Sequence, residues 1–210
     1  ADVMHSLGHV VPDDWIDVSH DSIATHWGGS GSYDDDREID AMSSLGACID
    51  AVCGAESCST ESMSTALERF FTRFTDVLEP YAGVAAALTE LSKRGYDIGI
   101  LSHTPWPPQH CEAWFARHGL ADHISFYSLS SGVGHIKPHP AHFADAIASA
   151  KCAAEEILHV GDHPLRDVIG ARTAGMRAVA VTWGGWSREQ LAALGPDALL
   201  DAPEQIPSAV

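Results

Sequence analysis

The sequence predicts an α/β protein whose second half is a doubly wound, Rossmann-like parallel sheet. Two observations carry this. From Pro80 onward, short apolar runs alternate with helical stretches of about ten residues, and three of those helices stop at a glycine. Such alternation gives βαβ units, and so parallel strands with helices on both faces. Before Pro80 no strand alternation occurs. Segments of helical spacing are instead separated by Gly/Ser-rich breaks at 28–32 and 54–59.

In the first half, the clearest helix follows Ser59 and Thr60, either of which can cap it. Met63, Leu67, Phe70, Phe71, Phe74 and Leu78 recur there at three- and four-residue steps, the pattern of a packing face. Asp34, Asp35, Asp36 and Glu38 form an acidic run, read as a solvated loop or helix start. In the second half, a helix over 84–94 ends at Gly95 and leads to a strand over 96–102. A helix over 109–118 stops at Gly119 before a strand over 124–129. A helix over 141–151 precedes a strand over 157–160. A helix over 165–174 halts at Gly175, followed by a strand over 178–182 and a short fifth over 198–200.

Composition narrows the function. The 210 residues suit one large domain or a domain with a smaller insertion, and 45% hydrophobic with 20% charged residues is the balance of a folded chain. Lys plus Arg number 12 against 29 Asp plus Glu, a formal charge of −17 with neutral histidine. Such a surface repels phosphate backbones and anionic lipid, so no nucleic-acid or membrane partner is expected. No apolar run approaches the roughly 20 residues of a membrane span. Five cysteines, an odd and sparse set, suit a reducing cytoplasm. The thirteen histidines offset part of the negative charge in mild acid.

Open parallel sheets bind ligands beyond the carboxyl ends of their strands. The first strand of the second half ends in Ser102-His103-Thr104 and the third in Gly161-Asp162. A Gly-rich loop after the second leads to Lys137-Pro138. These residues resemble three of the four motifs of the haloacid dehalogenase-like hydrolases. The hydroxyl ending Ile98-Gly99-Ile100-Leu101-Ser102 is similar to the second motif. Lys137, in Ile136-Lys137-Pro138-His139-Pro140-Ala141-His142-Phe143, is similar to the third. Gly161-Asp162-His163-Pro164-Leu165-Arg166-Asp167, with Gly170-Ala171 and Ala174-Gly175-Met176, resembles the fourth in its phosphatase form. The likeness is close from about 80 to 182 and positional before that.

The resemblance implies a helical cap inserted between the first and second motifs. It divides the chain into a remnant of the first core motif (1–8), a helical cap (9–78) and an α/β core (79–210). The first motif falls on Asp2-Val3-Met4-His5-Ser6-Leu7, with Asp2 the nucleophile and Met4 where the family carries a second Asp. It also places an apolar strand before Asp2 that this sequence does not contain. The expectations are therefore a sequence lacking an N-terminal strand or a shortened, non-enzymatic relative.

The implied function is an Mg²⁺-dependent phosphatase acting on a small phosphorylated metabolite through an aspartyl-phosphate. Asp2, Asp162 and Asp167 form the metal side of the site, with Asp167 placed more to position Lys137 or metal-bound water. Lys137 offsets the charge on the reacting anions. Ser102, with the backbone N–H groups of His103 and Thr104, grips the phosphoryl oxygens. At Met4 the missing acid/base is supplied by His5 or by a cap histidine such as His9, or made unnecessary by a good leaving group, or not replaced, in which case catalysis is poor. The alternatives are a 2-haloacid dehalogenase, suggested by Met4, and a catalytically silent binding protein.

Other features have plainer readings. Asp162 and Asp167 can also cap the following helix. His135, His139 and His142 are separated by prolines and read as surface loop histidines. Cys48, Cys53 and Cys58 lack zinc-site spacing and read as cap thiols. Trp183-Gly184-Gly185-Trp186 either lines the domain edge or packs. No Gly-x-Gly-x-x-Gly follows a strand, which leaves no dinucleotide fingerprint. Trp15, His26, Trp27 and Tyr33 are candidate lining residues of the cap. Substrate identity and oligomeric state are not encoded in any of these patterns.

Overall fold

The computed structural model describes residues 6, 13–14, 36–38, 41–53 and 59–210. The chain divides into two units, Ala1–Leu78 and Glu79–Val210. The first holds the helices α1 (Ala41–Cys53) and α2 (Thr60–Asp76). Ser59 caps α2, its Oγ accepting the N–H of Ser62 at 3.1 Å and satisfying one of the donors that a helix start leaves open. The two helices pack where Gly46 approaches Met63, with Cys48, Ile49, Ala66 and Phe71 buried. The expected stripe on α2 is narrower than the sequence suggests. Phe71 is 3% exposed, whereas Phe70 is 41% exposed, because adjacent helical residues point about 100° apart. The side chains of Leu67 and Phe74 lie outside the described residues.

The second unit runs α3 (Val84–Lys93), β1 (Gly99–Ser102), α4 (Pro108–Arg117), β2 (Phe126–Leu129), a short α5 (Ser130–Val133) and α6 (Pro140–Ala150). It continues through β3 (Leu158–Gly161), a π-helical turn (Pro164–Ile169), α7 (Gly170–Thr173), β4 (Arg177–Val181), α8 (Arg188–Ala192) and β5 (Ala198–Leu200). All strand pairs among the described residues are parallel, as the alternation predicts. Ser102 lies opposite Leu129, Gly161 opposite Ala180, and Val181 opposite Leu200. The strands form two hydrogen-bonded groups, β1–β2 and β3–β4–β5, rather than one sheet, and among the described residues no ladder joins them.

Both groups nevertheless share a core. Phe143 and Ala146 of α6 pack with Val168, Ala171, Met176, Ala178, Ala180 and Leu191, and Leu101 of β1 and Phe126 of β2 close against them. Val179, Val181 and Leu200 form a second cluster with Leu158, Val160 and Trp183. Ala178 and Ala180 thus serve one cluster and Val179 and Val181 the other, which buries β4 on both faces as a parallel strand requires. Burying a side chain such as Phe143, 1% exposed, contributes roughly 1.5–3 kcal/mol. Among the described residues no helix is long and apolar enough to cross a membrane.

The helix expected over 165–174 does not start as an α-helix. Asp167 and Val168 both donate their N–H to the carbonyl of His163, at 2.9 and 3.2 Å, and the chain makes one wide turn before the four residues of α7. Such π turns recur at functional sites.

Candidate active site

One lysine ties two strand ends together. Lys137, in the loop between α5 and α6, is 8% exposed. Its Nζ donates to the carbonyl of Leu101 at 3.0 Å, one residue before Ser102 at the end of β1. It also donates to Asp167 Oδ1 at 2.6 Å. The same oxygen accepts Nε2–H of His159, on β3, at 3.0 Å. Asp167 Oδ2 accepts the backbone N–H of His163 at 2.9 Å, the residue after Asp162. The β1 end bearing Ser102 and the β3 end bearing Asp162 are therefore joined through Lys137 and Asp167.

Local sequence makes this closure possible. The π turn brings Asp167 back over the end of β3, and Gly161 leaves room for it. A Cβ on Gly161 would stand 2.3 Å from Asp167 Cγ, closer than any side chain allows. Both oxygens of Asp167 are engaged, the arrangement of a carboxylate that holds Lys137.

Electrostatics follow the same geometry. Burial alone would raise the Asp167 pKa, but the His159 hydrogen bond and the Lys137 charge outweigh it and hold the carboxyl well below the usual range. Burial keeps His159 neutral despite that bond, so its contact with Asp167 is a hydrogen bond rather than an ion pair. Burial, then the charges of Arg166 and Lys137, lowers His103 to about 4. His142 is lowered to about 4 chiefly by burial, against the opposing pull of the Ser128 carbonyl. His103, His142 and His159 are thus uncharged at neutral pH.

Asp162 stands apart from this network. Among the described residues its one hydrogen bond is long, Gly185 N–H to Oδ2 at 3.4 Å. The loop carrying Gly184 passes directly over it, and a Cβ on Gly184 would stand 2.1 Å from that oxygen. Trp183 packs into the second core cluster, while Trp186 lies edge-on to His163 with ring centroids 5.2 Å apart. Ser102 is partly buried, and its hydroxyl makes no hydrogen bond among the described residues.

One expectation for the phosphoryl grip requires correction. The N–H of Thr104 already donates to Ser130 Oγ at 2.7 Å, and Ser130 Oγ in turn donates to the Thr104 carbonyl at 3.2 Å. Thr104 is buried and anchors the loop, so its N–H does not face a ligand. His103 lies within electrostatic reach of Lys137. The reading of His142 as a surface histidine is also corrected. It is fully buried, with Nε2–H donated to the Ser128 carbonyl at 3.1 Å, because α6 packs it against β2. His135 and His139 stack face to face with centroids 3.8 Å apart, an arrangement that does not converge on an ion.

Asp2, and with it Met4, His5, His9, Trp15, His26, Trp27, Tyr33, Asp34, Asp35 and Cys58, lies outside the described residues, as does the side chain of Cys53. Among the described residues no group of three or more His, Cys, Asp or Glu could hold a metal. At the end of β3, the Asp162 carboxylate has no ion-pair partner among the described residues and takes part in the one long Gly185 bond. A single hard oxygen donor, completed by water and substrate phosphate, is chemistry that suits Mg²⁺. Sequence reasoning did not single out His159 or Ser130. The signal available for His159 was a polar residue interrupting an apolar strand two positions before Gly161.

Comparison with known proteins fits this geometry. A family model described as haloacid dehalogenase-like hydrolase matches residues 43–181. Pyrophosphatase PpaX of Bacillus mycoides is 32% identical over 167 residues, 79% of this chain and 76% of that protein. Pyrophosphatase PpaX of Bacillus cereus is 32% identical over 142 residues, so the chain spans 64% of that protein's length. A 2-haloacid dehalogenase from Pseudomonas syringae superposes with a TM-score of 0.64 at 28% identity, covering 95% of this chain and 81% of that one. A phosphatase from Thermococcus onnurineus gives the same TM-score at 22% identity over 98% and 83% of the two chains, a likeness of fold.

Proposed function

Because the chain belongs to the haloacid dehalogenase-like hydrolase family, we propose that it is an Mg²⁺-dependent phosphohydrolase acting on a small phosphorylated metabolite. The reading is supported above all by the buried Lys137 ammonium, hydrogen-bonded at once to the β1 end of Ser102 and to Asp167. A fixed positive charge at the meeting of two strand ends is what a reacting phosphoryl group needs.

In this proposal residues 9–78 form the cap and the protein works in the cytoplasm. Asp2 attacks phosphorus in line, forming an Asp–O–P bond as the bond to the leaving oxygen breaks, and water then cleaves the acyl phosphate. Lys137 and the Ser102 hydroxyl hold the phosphoryl oxygens, and Asp167 holds Lys137 against them. Mg²⁺, bound by Asp162 and Asp2, would neutralise charge between the carboxylate and the incoming anion. The relatives named pyrophosphatases favour a phosphoanhydride, whose phosphate leaving group departs without the acid that Met4 cannot supply.

Phosphate release from pyrophosphate and p-nitrophenyl phosphate, with Mg²⁺ and with a chelator, tests the reading. Chelator-sensitive release is expected. The dehalogenase resemblance and Met4 support a second reading, which chelator-insensitive halide release from a 2-haloacid would favour instead.

A further inference from the structure

His163 stands between Asp162 and Asp167, and none of the chemistry above uses its side chain. Four contacts fix it. Its backbone N–H donates to Asp167 Oδ2 at 2.9 Å. Its Nδ1 accepts the backbone N–H groups of Leu165 and Arg166, each at 3.2 Å. Its ring lies edge-on to Trp186, at 5.2 Å and 67°.

A ring nitrogen that accepts two N–H bonds presents its lone pair, so the proton of the neutral imidazole sits on Nε2. That Nε2–H has no hydrogen-bond partner among the described residues. The charges acting on the ring are those of Arg166, Asp167, Asp162 and Lys137, which places it beside the groups that would handle an anion. The donor is therefore oriented before any ligand arrives and costs little to order on binding.

We propose that His163 is a substrate-binding residue whose Nε2–H donates to an anionic oxygen of the phosphoryl group, with Trp186 as the positioning residue that holds the ring. This rests on the phosphohydrolase reading. It differs from a purely structural role, in which Nδ1 only caps the turn.

The substitution His163→Asn separates the two, because the Asn Oδ1 can still accept the Leu165 and Arg166 N–H groups while the distal donor is lost. Nitrogen-15 histidine spectra of the whole protein, titrated with inorganic phosphate, give a second readout. Expected are a proton on Nε2 of His163, movement of that resonance with phosphate, and phosphate binding weakened about tenfold or more in His163→Asn at an unchanged melting temperature. Trp186→Ala should weaken phosphate binding by a smaller factor.

A proton on Nδ1, or unchanged phosphate binding by His163→Asn, overturns the proposal. So does a titration in which the Ser102 amide shifts and His163 does not, and that result leaves the phosphohydrolase reading standing. If no resonance responds to phosphate and no phosphate compound is hydrolysed, the phosphohydrolase reading fails and the proposal fails with it.

Discussion

Lys137 Nζ and Asp167 Oδ1 lie 2.6 Å apart in a place almost closed to water, with side chains 10% and 6% exposed. Removing one member of a buried pair leaves the other charge without compensation. Asp167→Ala should therefore destabilise the protein by about 3–5 kcal/mol in urea unfolding at pH 7. A loss below about 1 kcal/mol, the size of an exposed pair, would show that Lys137 finds water or another acceptor.

The depressed pKa of Asp167 adds little pH dependence near neutrality, since its contribution is lost only as pH falls below the ordinary carboxylate range. His142 acts at higher pH. Its folded pKa of about 4 lies below the unfolded value of 6.5, so the unfolded chain takes up the proton first. Stability is then complete above pH 6.5 and falls as pH drops toward 4, with His142 contributing on the order of 3 kcal/mol. His142→Gln keeps a donor for the Ser128 carbonyl and removes the titration. Unfolding measured at pH 7 and pH 5 should show a smaller acid loss in this variant, and an equal loss would remove His142 from the explanation.

Gly184 makes a prediction about geometry. An alanine there would put its Cβ 2.1 Å from Asp162 Oδ2, so the carboxylate or the loop must move. A displacement near 1 Å at a reacting site costs on the order of 10²-fold in rate. Gly184→Ala should cut turnover by that order while the near-ultraviolet spectrum of the folded protein is retained. Wild-type turnover would mean that Asp162 tolerates the shift.

Ser130 supports the loop that follows Ser102. Ser130→Ala would leave the buried N–H of Thr104 without its acceptor, at a cost of about 1–3 kcal/mol. Thermal unfolding reads this directly, and an unchanged midpoint would show that another acceptor takes its place.

The strand ends were legible because they depend on local pattern. An apolar run that stops at a hydroxyl, or at Gly-Asp, marks the carboxyl edge of a parallel strand, and Ser102 and Asp162 stand there. Lys137 was legible from its Pro-rich context. The π turn was not, because its bonding to the His163 carbonyl is coupled to where Asp167 finds its partners, a tertiary outcome that helical periodicity cannot encode. The same holds for the Thr104 N–H. Its capture by Ser130, 26 residues away, is invisible to any reading of neighbouring residues. The Trp183–Trp186 stretch was ambiguous because its two tryptophans do different things, one packing in a core cluster and the other lying against His163.

The most direct test of phosphohydrolase chemistry at these strand ends is Mg²⁺-dependent phosphate release by the protein and by its Asp162→Asn variant. Asp162 takes part in one long hydrogen bond among the described residues, so the variant should fold as the parent does. Release that requires Mg²⁺ and falls at least about 10²-fold in the variant is the expected result. Equal release by the two proteins, or release indifferent to Mg²⁺, would contradict it.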